Sequence, residues 1–188
     1  SLALGSAVHS TLEYILKADT KPTEKMLQEK VEHELVREGV VDPKELKRLA
    51  KDAMSAVMNW IDTYYPHLAK DRVSERSVSF KDPLFPPLSM YGKIDLTERF
   101  PDGTIAVTDF KTGGVKTPGM IEKLTDDHRL SDYMRQLAMY SYLIRGAEKG
   151  SVVTSSRLLF VEADKKEKNA LYETRISEEQ IDLLVRDI

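Results

Sequence analysis

Two aspartates and a lysine in the middle of the chain have the residue types and spacing for hydrolytic chemistry. They lie in the stretch GKIDLTERFPDGTIAVTDFKTGG at residues 92–114, whose pattern indicates two strands joined by a turn. Asp95 lies on the first strand, Asp109 lies on the second, and Lys111 follows Asp109 by two residues. Paired carboxylates beside an amine can bind a divalent cation, and such a cation activates water for hydrolysis.

The turn at 101–103, with the sequence PDG, predicts how the two strands pair. Proline fixes its φ angle, aspartate bonds within its own turn, and glycine takes the left-handed position. A three-residue loop pairs Phe100 with Thr104, and the same register sets Asp95 opposite Asp109. Their Cβ atoms would then lie about 4.5–5.5 Å apart on one face of the sheet.

Two like charges at that distance repel, so the two aspartates need a compensating partner. A shared proton is one resolution, and a divalent cation between them is another. Lys111 shares a face with Asp109 because alternate residues of a strand point to one side, and Lys93 falls opposite Lys111. A surface ladder of salt bridges is the alternative interpretation. Apolar residues on both faces of the second strand favour a covered sheet, in which partly buried acids need a cation.

The rest of the chain has the periodicity of an α/β fold. Helical spacing predicts helices at 5–18, 22–38, about 43–64, 131–146 and 177–188. Alternation predicts strands at 74–80, about 88–99, 104–111, 155–163 and 170–176. We therefore expect one domain over 1–188, with a helical portion at 5–65 and a β-β-β-α-β-β-α core at 74–188. The sheet should be mixed, mostly antiparallel and flanked by helices.

Composition excludes several classes of protein. The chain has 188 residues, of which 41% are hydrophobic, and this is enough for a core. Its formal net charge of -3 means that a polyanion must be met by a local basic patch, a metal or a neighbouring domain. The absence of cysteine excludes disulfides, thiol catalysis and iron–sulfur clusters within this chain. No apolar run reaches the roughly 18 residues of a membrane span, so no membrane partner is expected.

The combination of GKID and DFKTG resembles the core signature of the PD-(D/E)xK nuclease superfamily, and more narrowly its RecB-type branch. That branch carries a Gly-x-x-x-His motif on an N-terminal helix, which GSAVH at 5–9 matches. It also carries a Gln-x-x-x-Tyr motif on the following helix, which QLAMY at 136–140 matches. Glu75 in SERSVSF matches a glutamate on the preceding strand. These features occur in the family's order along the chain.

The resemblance implies metal-dependent phosphodiester hydrolysis in DNA, and it assigns the central roles. His9, Asp95 and Asp109 would be side-chain ligands of Mg²⁺ or Mn²⁺, and the backbone carbonyl of Phe110 would be a further ligand. Lys111 would hold or activate the attacking water and stabilise the charged transition state. A histidine ligand favours Mn²⁺, because Mg²⁺ prefers a shell of oxygen atoms.

Supporting roles are implied for residues around these ligands. Gln136 and Tyr140 would border the site, where they would contact DNA or orient Lys111. Glu75 would support the site from outside the ligand shell. Thr112 and Lys116 belong to a basic, glycine-containing segment that can reach phosphates.

The absence of cysteine points to the branch without an iron–sulfur cluster. Members of this branch are often fused to helicases, and the chain starts within a helical pattern. We therefore expect the C-terminal nuclease module of a helicase–nuclease such as the UvrD/Rep-type or AddAB-like proteins. This module would lie in the cytoplasm of a prokaryotic-type cell. It would act on nucleoid DNA during recombination and repair. The alternative is a catalytically inactive DNA-binding or scaffold module that has kept the fold, and a third is a nuclease that needs its parent helicase for activity.

Overall fold

The computed structural model of the protein describes residues 1–84, 89–162 and 170–188. Six α-helices are present in this part of the chain: α1 Leu2–Lys17, α2 Glu24–Arg37, α3 Pro43–Thr63, α4 Pro118–Glu122, α5 Asp132–Ala147 and α6 Glu178–Arg186. Five strands accompany them: β1 Asp71–Lys81, β2 Ser89–Arg99, β3 Thr104–Lys111, β4 Val152–Phe160 and β5 Ala170–Thr174. The mixed α/β class and the order of the elements confirm the sequence prediction.

The boundaries of several elements differ from those predicted, and each difference has a local cause. Helix α1 begins at Leu2, three residues early, because the Ser1 hydroxyl accepts a hydrogen bond from the Leu4 amide at 3.2 Å. The polar segment at 112–131 contains the short helix α4, which Thr117 caps and whose Ile121 side chain is fully buried. The predicted strand at 155–163 is β4, which begins at Val152, and position 163 lies outside the described residues.

The chain divides into two compact units. The first unit consists of Ser1–Leu68, Phe110–Val115 and Leu159–Leu171. Its helices α1, α2 and α3 pack against one another, since each carries a stripe of apolar side chains. The buried side chains of these helices include Val8, Leu12, Ile15, Leu27, Leu35, Val57, Trp60 and Ile61.

The second unit consists of Ala69–Asp109, Lys116–Leu158 and Tyr172–Ile188. It contains most of a five-stranded mixed sheet with the strand order β1-β2-β3-β4-β5. Helix α5 packs on β1 and β2, and α6 packs on α5. The apolar side chains that α5 buries include Met134, Leu137, Ala138, Leu143 and Ile144.

The register of the β2–β3 hairpin is the one that its turn predicts. The Phe100 amide donates to the Thr104 carbonyl at 2.9 Å, and the Asp102 carboxylate accepts from the Thr104 amide at the same distance. Leu96 pairs with Thr108, and the register stays constant from there to the turn. Continued by one residue, this register would set Asp95 opposite Asp109, as the turn predicts.

No helix in the described ranges 1–84, 89–162 and 170–188 is long and apolar enough to cross a bilayer.

The contact between α5 and β1 gives a first prediction. A Cβ atom added at Gly146 would lie 2.6 Å from the ring of Phe80, so the Gly146→Ala variant must displace that ring. We expect its free energy of unfolding to fall by about 1–2 kcal/mol, because overpacking outweighs the gain in helix propensity. Urea unfolding followed by circular dichroism measures this change.

Gly119→Ala is the matched control, since nothing lies within 4 Å of a Cβ atom added at Gly119 in α4. Its free energy of unfolding should stay unchanged or rise by up to about 1 kcal/mol. Equal values for the two variants would contradict the packing of α5 on Phe80.

Candidate active site

The carboxylate of Asp109 is the most deeply buried acid among the predicted site residues, with 4% of the residue exposed. Its Oδ1 atom lies 3.2 Å from the Tyr140 hydroxyl, on helix α5. The same hydroxyl lies 3.0 Å from the Lys93 carbonyl oxygen, and it accepts a hydrogen bond from the Gln136 amide nitrogen at 2.9 Å. Tyr140 thus connects α5 to β2 and β3 at the level of Asp109.

Asp95 contributes a second negative charge near the same hydroxyl. Burial raises the pKa of Tyr140 above its ordinary value, and the charges of Asp109 and Asp95 raise it further. Both carboxylates therefore lie close enough to Tyr140 to repel the negative charge of a phenolate. Asp95 itself is half-buried on β2, so an ion in the solvent can still reach its carboxylate.

The Glu75 backbone departs from normal strand geometry next to these acids. Its φ angle is 51°, in the left-handed region that residues other than glycine rarely adopt. The register of β1 with β2 is the same on both sides of it, so no residue is inserted, and Glu75 lies at the position across from Asp95. Its carboxylate forms an ion pair with Lys93 at 2.8 Å. Backbone strain of this kind is concentrated at functional sites.

In the first unit, His9 lies on α1 against the middle residue of the DFK sequence. The ring of His9 meets the ring of Phe110 edge-on, with centroids 5.7 Å apart. Trp60 packs edge-on against Phe110 as well, at 6.4 Å. The His9 Nε2 atom lies 3.2 Å from the Glu13 carboxylate one helical turn later, which agrees with a pairing role for Glu13. His9 is thus packed against the residue that lies between Asp109 and Lys111 in the sequence.

The end of β3 is held in place by β4 and α1. The Lys111 carbonyl accepts from the Val161 amide at 2.9 Å. Because successive carbonyls of a strand point in opposite directions, the Phe110 carbonyl is directed away from Val161. A Cβ atom at Gly5 would lie 2.5 Å from the Glu162 carboxylate and 2.8 Å from the side chain of Thr112. The glycine of GSAVH is therefore required by the close approach of α1 to these two residues.

The predicted site residues fall into two groups. Asp95, Asp109, Gln136, Tyr140 and Glu75 belong to the second unit, whereas His9, Phe110, Lys111 and Thr112 belong to the first. Lys116 is half-buried before α4, and no hydrogen bond or ion pair joins it to the others in the described part of the chain.

Two features escaped the sequence analysis. The bond from Tyr140 to Asp109 was not predicted, because helix periodicity gives a stripe of residues and not their partners across the sheet. The carboxylate of Glu162 beside Gly5 and Thr112 was missed as well, and its position as an acid near the end of a predicted apolar strand was the only signal.

The donor set in the second unit suits a hard divalent cation. A buried carboxylate and a half-buried carboxylate repel near one hydroxyl, and carboxylate oxygens are the ligands that Mg²⁺ and Mn²⁺ prefer. In the first unit, the imidazole of His9 is a ligand type that Mn²⁺ accepts. The two carboxylates of the second unit can therefore hold a cation, and a bound divalent cation is suited to hydrolysis of a phosphate ester.

Comparison with known proteins adds a family assignment. A family model described as the PD-(D/E)XK nuclease superfamily matches residues 1–188. No curated protein sequence matches the chain.

Two crystal structures are similar to the chain. One is a protein from Eubacterium rectale whose name proposes an exonuclease, with 14% identity and a TM-score of 0.52. The match covers 91% of this chain and 65% of that one, so the chain spans about two thirds of its length. The other, described as SSO0001, has 14% identity and a TM-score of 0.39, with 96% and 82% coverage. At 14% identity, the structure from Eubacterium rectale supports the fold of this chain and nothing further.

The bond from Tyr140 to Asp109 predicts a loss of stability in the Tyr140→Phe variant. The Asp109 carboxylate and the Gln136 amide both lose this partner inside the protein. The free energy of unfolding should fall by about 1–3 kcal/mol, as expected when a buried polar group loses its hydrogen bond. Urea unfolding of the metal-free protein measures the change.

Tyr91→Phe is the matched control, because Tyr91 is 67% exposed and its hydroxyl lies 3.0 Å from that of Ser77. Its free energy of unfolding should change by less than about 0.5 kcal/mol. If both variants are as stable as the wild type, the Tyr140 hydroxyl does not hold Asp109 in place.

Proposed function

Since the chain belongs to the PD-(D/E)XK nuclease superfamily, we propose that it is a metal-dependent deoxyribonuclease that hydrolyses phosphodiester bonds in DNA. The observation that carries the proposal is the Asp109 carboxylate 3.2 Å from the buried Tyr140 hydroxyl, whose pKa the charges of Asp109 and Asp95 both raise. Lys111, two residues after Asp109, supplies the positively charged side chain that such hydrolysis needs. The mere stabilisation of the fold does not require two repelling carboxylates, and their cost must be offset by a partner.

The proposed ligands of the cation are the carboxylates of Asp95 and Asp109, the imidazole of His9 and the Phe110 carbonyl oxygen. The ring contact of His9 with Phe110 supports the inclusion of His9 among the ligands. The orientation of the Phe110 carbonyl away from Val161 supports the inclusion of this carbonyl. Bound Mg²⁺ or Mn²⁺ would polarise the phosphate, lower the pKa of a water molecule and offset the charge that develops in the transition state.

The protein's own side chains divide the remaining tasks. In the proposal, the Lys111 ammonium orients the attacking water and stabilises the negative charge on the phosphate oxygens. Tyr140 and Gln136 position Asp109, and they also border the site, where they contact DNA or orient Lys111. Glu75 neutralises Lys93 and so keeps this lysine from competing for the two aspartates. Thr112 and Lys116 are proposed to contact phosphates along the strand.

We further propose that both units act as one nuclease domain over 1–188, because the family model covers that whole range. The ordered motifs at 5–9 and 136–140 support assignment to the RecB-type branch without an iron–sulfur cluster. By analogy with that branch, the chain would work beside a helicase domain of the same polypeptide. It would act there on nucleoid DNA during recombination and repair.

The proposal predicts that Asp109→Asn and Lys111→Ala lose DNA cleavage. End-labelled single-stranded and double-stranded DNA, incubated with Mn²⁺ or Mg²⁺, should be cut by the wild type and spared in the presence of EDTA. Each variant should be slower by about 10²–10⁴-fold, because Asp109→Asn removes a charged ligand of the cation and Lys111→Ala removes a charge that stabilises the transition state. Urea unfolding checks that each variant remains folded.

Asp52→Asn and Lys51→Ala are matched controls, since both residues are exposed on α3 and the changes in charge are the same. These two variants should cut DNA at the wild-type rate. A wild type that binds Mn²⁺ and DNA yet cuts neither substrate would favour the scaffold alternative.

A further inference from the structure

An open groove of about 470 Å³ lies beside the proposed site, between β2 and α5. Tyr91 and Lys93 line it from β2, while Arg135, Gln136 and Tyr140 line it from α5. Asp132 and Met139 line it as well, so the α5 residues follow the helical spacing i, i+3, i+4, i+7 and i+8, which is one face of the helix. All of these residues belong to the second unit, so the groove is a feature of that unit alone.

Tyr91 is an unusual residue for the surface of such a groove. It is 67% exposed, although an aromatic ring gains most from burial. Its hydroxyl lies 3.0 Å from the Ser77 hydroxyl on the neighbouring strand, which limits the rotation of the side chain. A ring that is held at its tip and open to solvent is suited to stacking against another planar group.

The polar groups of the groove suit a phosphate backbone. Arg135 is exposed on α5 and carries a guanidinium group, which binds phosphate oxygens with two parallel hydrogen bonds. Lys93 is half-exposed and forms an ion pair with Glu75, and Asp132 adds a negative charge to the groove, so the positive and negative charges balance. Binding of a strand would therefore depend on stacking and on one local phosphate contact, and it should be weak.

The groove borders the proposed centre at Tyr140. Tyr140 lines its wall, and the same hydroxyl lies 3.2 Å from the Asp109 carboxylate. Gln136 lines the groove as well and donates to Tyr140. A strand that occupies the groove would therefore lie against the two residues that hold Asp109, while its next bases lie along β2.

We infer that this groove binds one strand of DNA next to the cleaved bond, with a base stacked on Tyr91 and a phosphate held by Arg135. The inference rests on the proposed function, because it deepens the description of the same site. Bases of an intact duplex are already stacked on one another, so Tyr91 selects single strands or frayed ends. Tyr91 and Arg135 are thus binding residues and take no part in the chemistry.

The test is the binding of a fluorescein-labelled single-stranded oligonucleotide, followed by anisotropy in EDTA so that the strand stays intact. Tyr91→Ala should weaken binding by about 5- to 150-fold, the range found for loss of one stacked base. Tyr91→Phe should bind more tightly than Tyr91→Ala, since it keeps the ring and loses only the hydrogen bond to Ser77. Arg135→Ala should weaken binding and reduce the dependence on salt, by about 0.7 in the logarithmic slope.

Two controls separate stacking and a local phosphate contact from general effects of charge. An oligonucleotide that lacks bases should bind the wild type and Tyr91→Ala equally weakly, because it has no base to stack on the ring of Tyr91. Arg48→Ala, at an exposed position on α3 with the same change in charge as Arg135→Ala, should leave binding unchanged.

The outcomes for the groove and for the nuclease are distinguishable. A wild type that binds in this Tyr91-dependent way but never cuts DNA would support the groove and refute the nuclease. Equal affinity of Tyr91→Ala and the wild type for the oligonucleotide with bases would overturn the groove, even if the wild type cuts DNA. A wild type that does not bind single strands would overturn it too.

Discussion

The burial of the Asp109 carboxylate is the constraint around which the second unit is arranged. A charge in this position is unstable unless polar groups or a cation compensate it. Tyr140 supplies one such group, and its own position is fixed by the Lys93 carbonyl and by Gln136. The hydrogen bonds that hold Asp109 therefore also connect α5 to the sheet, in addition to the apolar side chains that this helix buries.

Gly92 illustrates the close packing that brings the Tyr140 hydroxyl to β2. A Cβ atom at Gly92 would lie 2.7 Å from the Leu143 side chain and 3.6 Å from the Tyr140 ring. The lack of a side chain there lets α5 approach β2, and the Tyr140 hydroxyl then reaches the Lys93 carbonyl. In the first unit, Gly5 serves α1 in a comparable way beside Thr112. Both glycines are thus explained by packing next to a functional segment.

The sequence alone predicted the class of fold, the order of elements and the register of the hairpin, because these follow from local signals. Alternation, caps and the PDG turn act over a few residues, and the turn at 101–103 sets the β2–β3 register without other information. The partners of side chains across the sheet were not predictable in this way. The bond from Tyr140 to Asp109, the strained Glu75 and the groove beside Tyr91 depend on how α5 and β1 pack, which no local pattern encodes.

The central claim is that Asp95 and Asp109 share one divalent cation. Anomalous diffraction from a crystal soaked in Mn²⁺, recorded at the manganese absorption edge, tests it most directly. The expected result is a peak within about 2.0–2.3 Å of a carboxylate oxygen from each aspartate, with His9 as a further ligand. A saturating soak that leaves no peak between the two carboxylates, or a lysine ammonium found there instead, would contradict the claim.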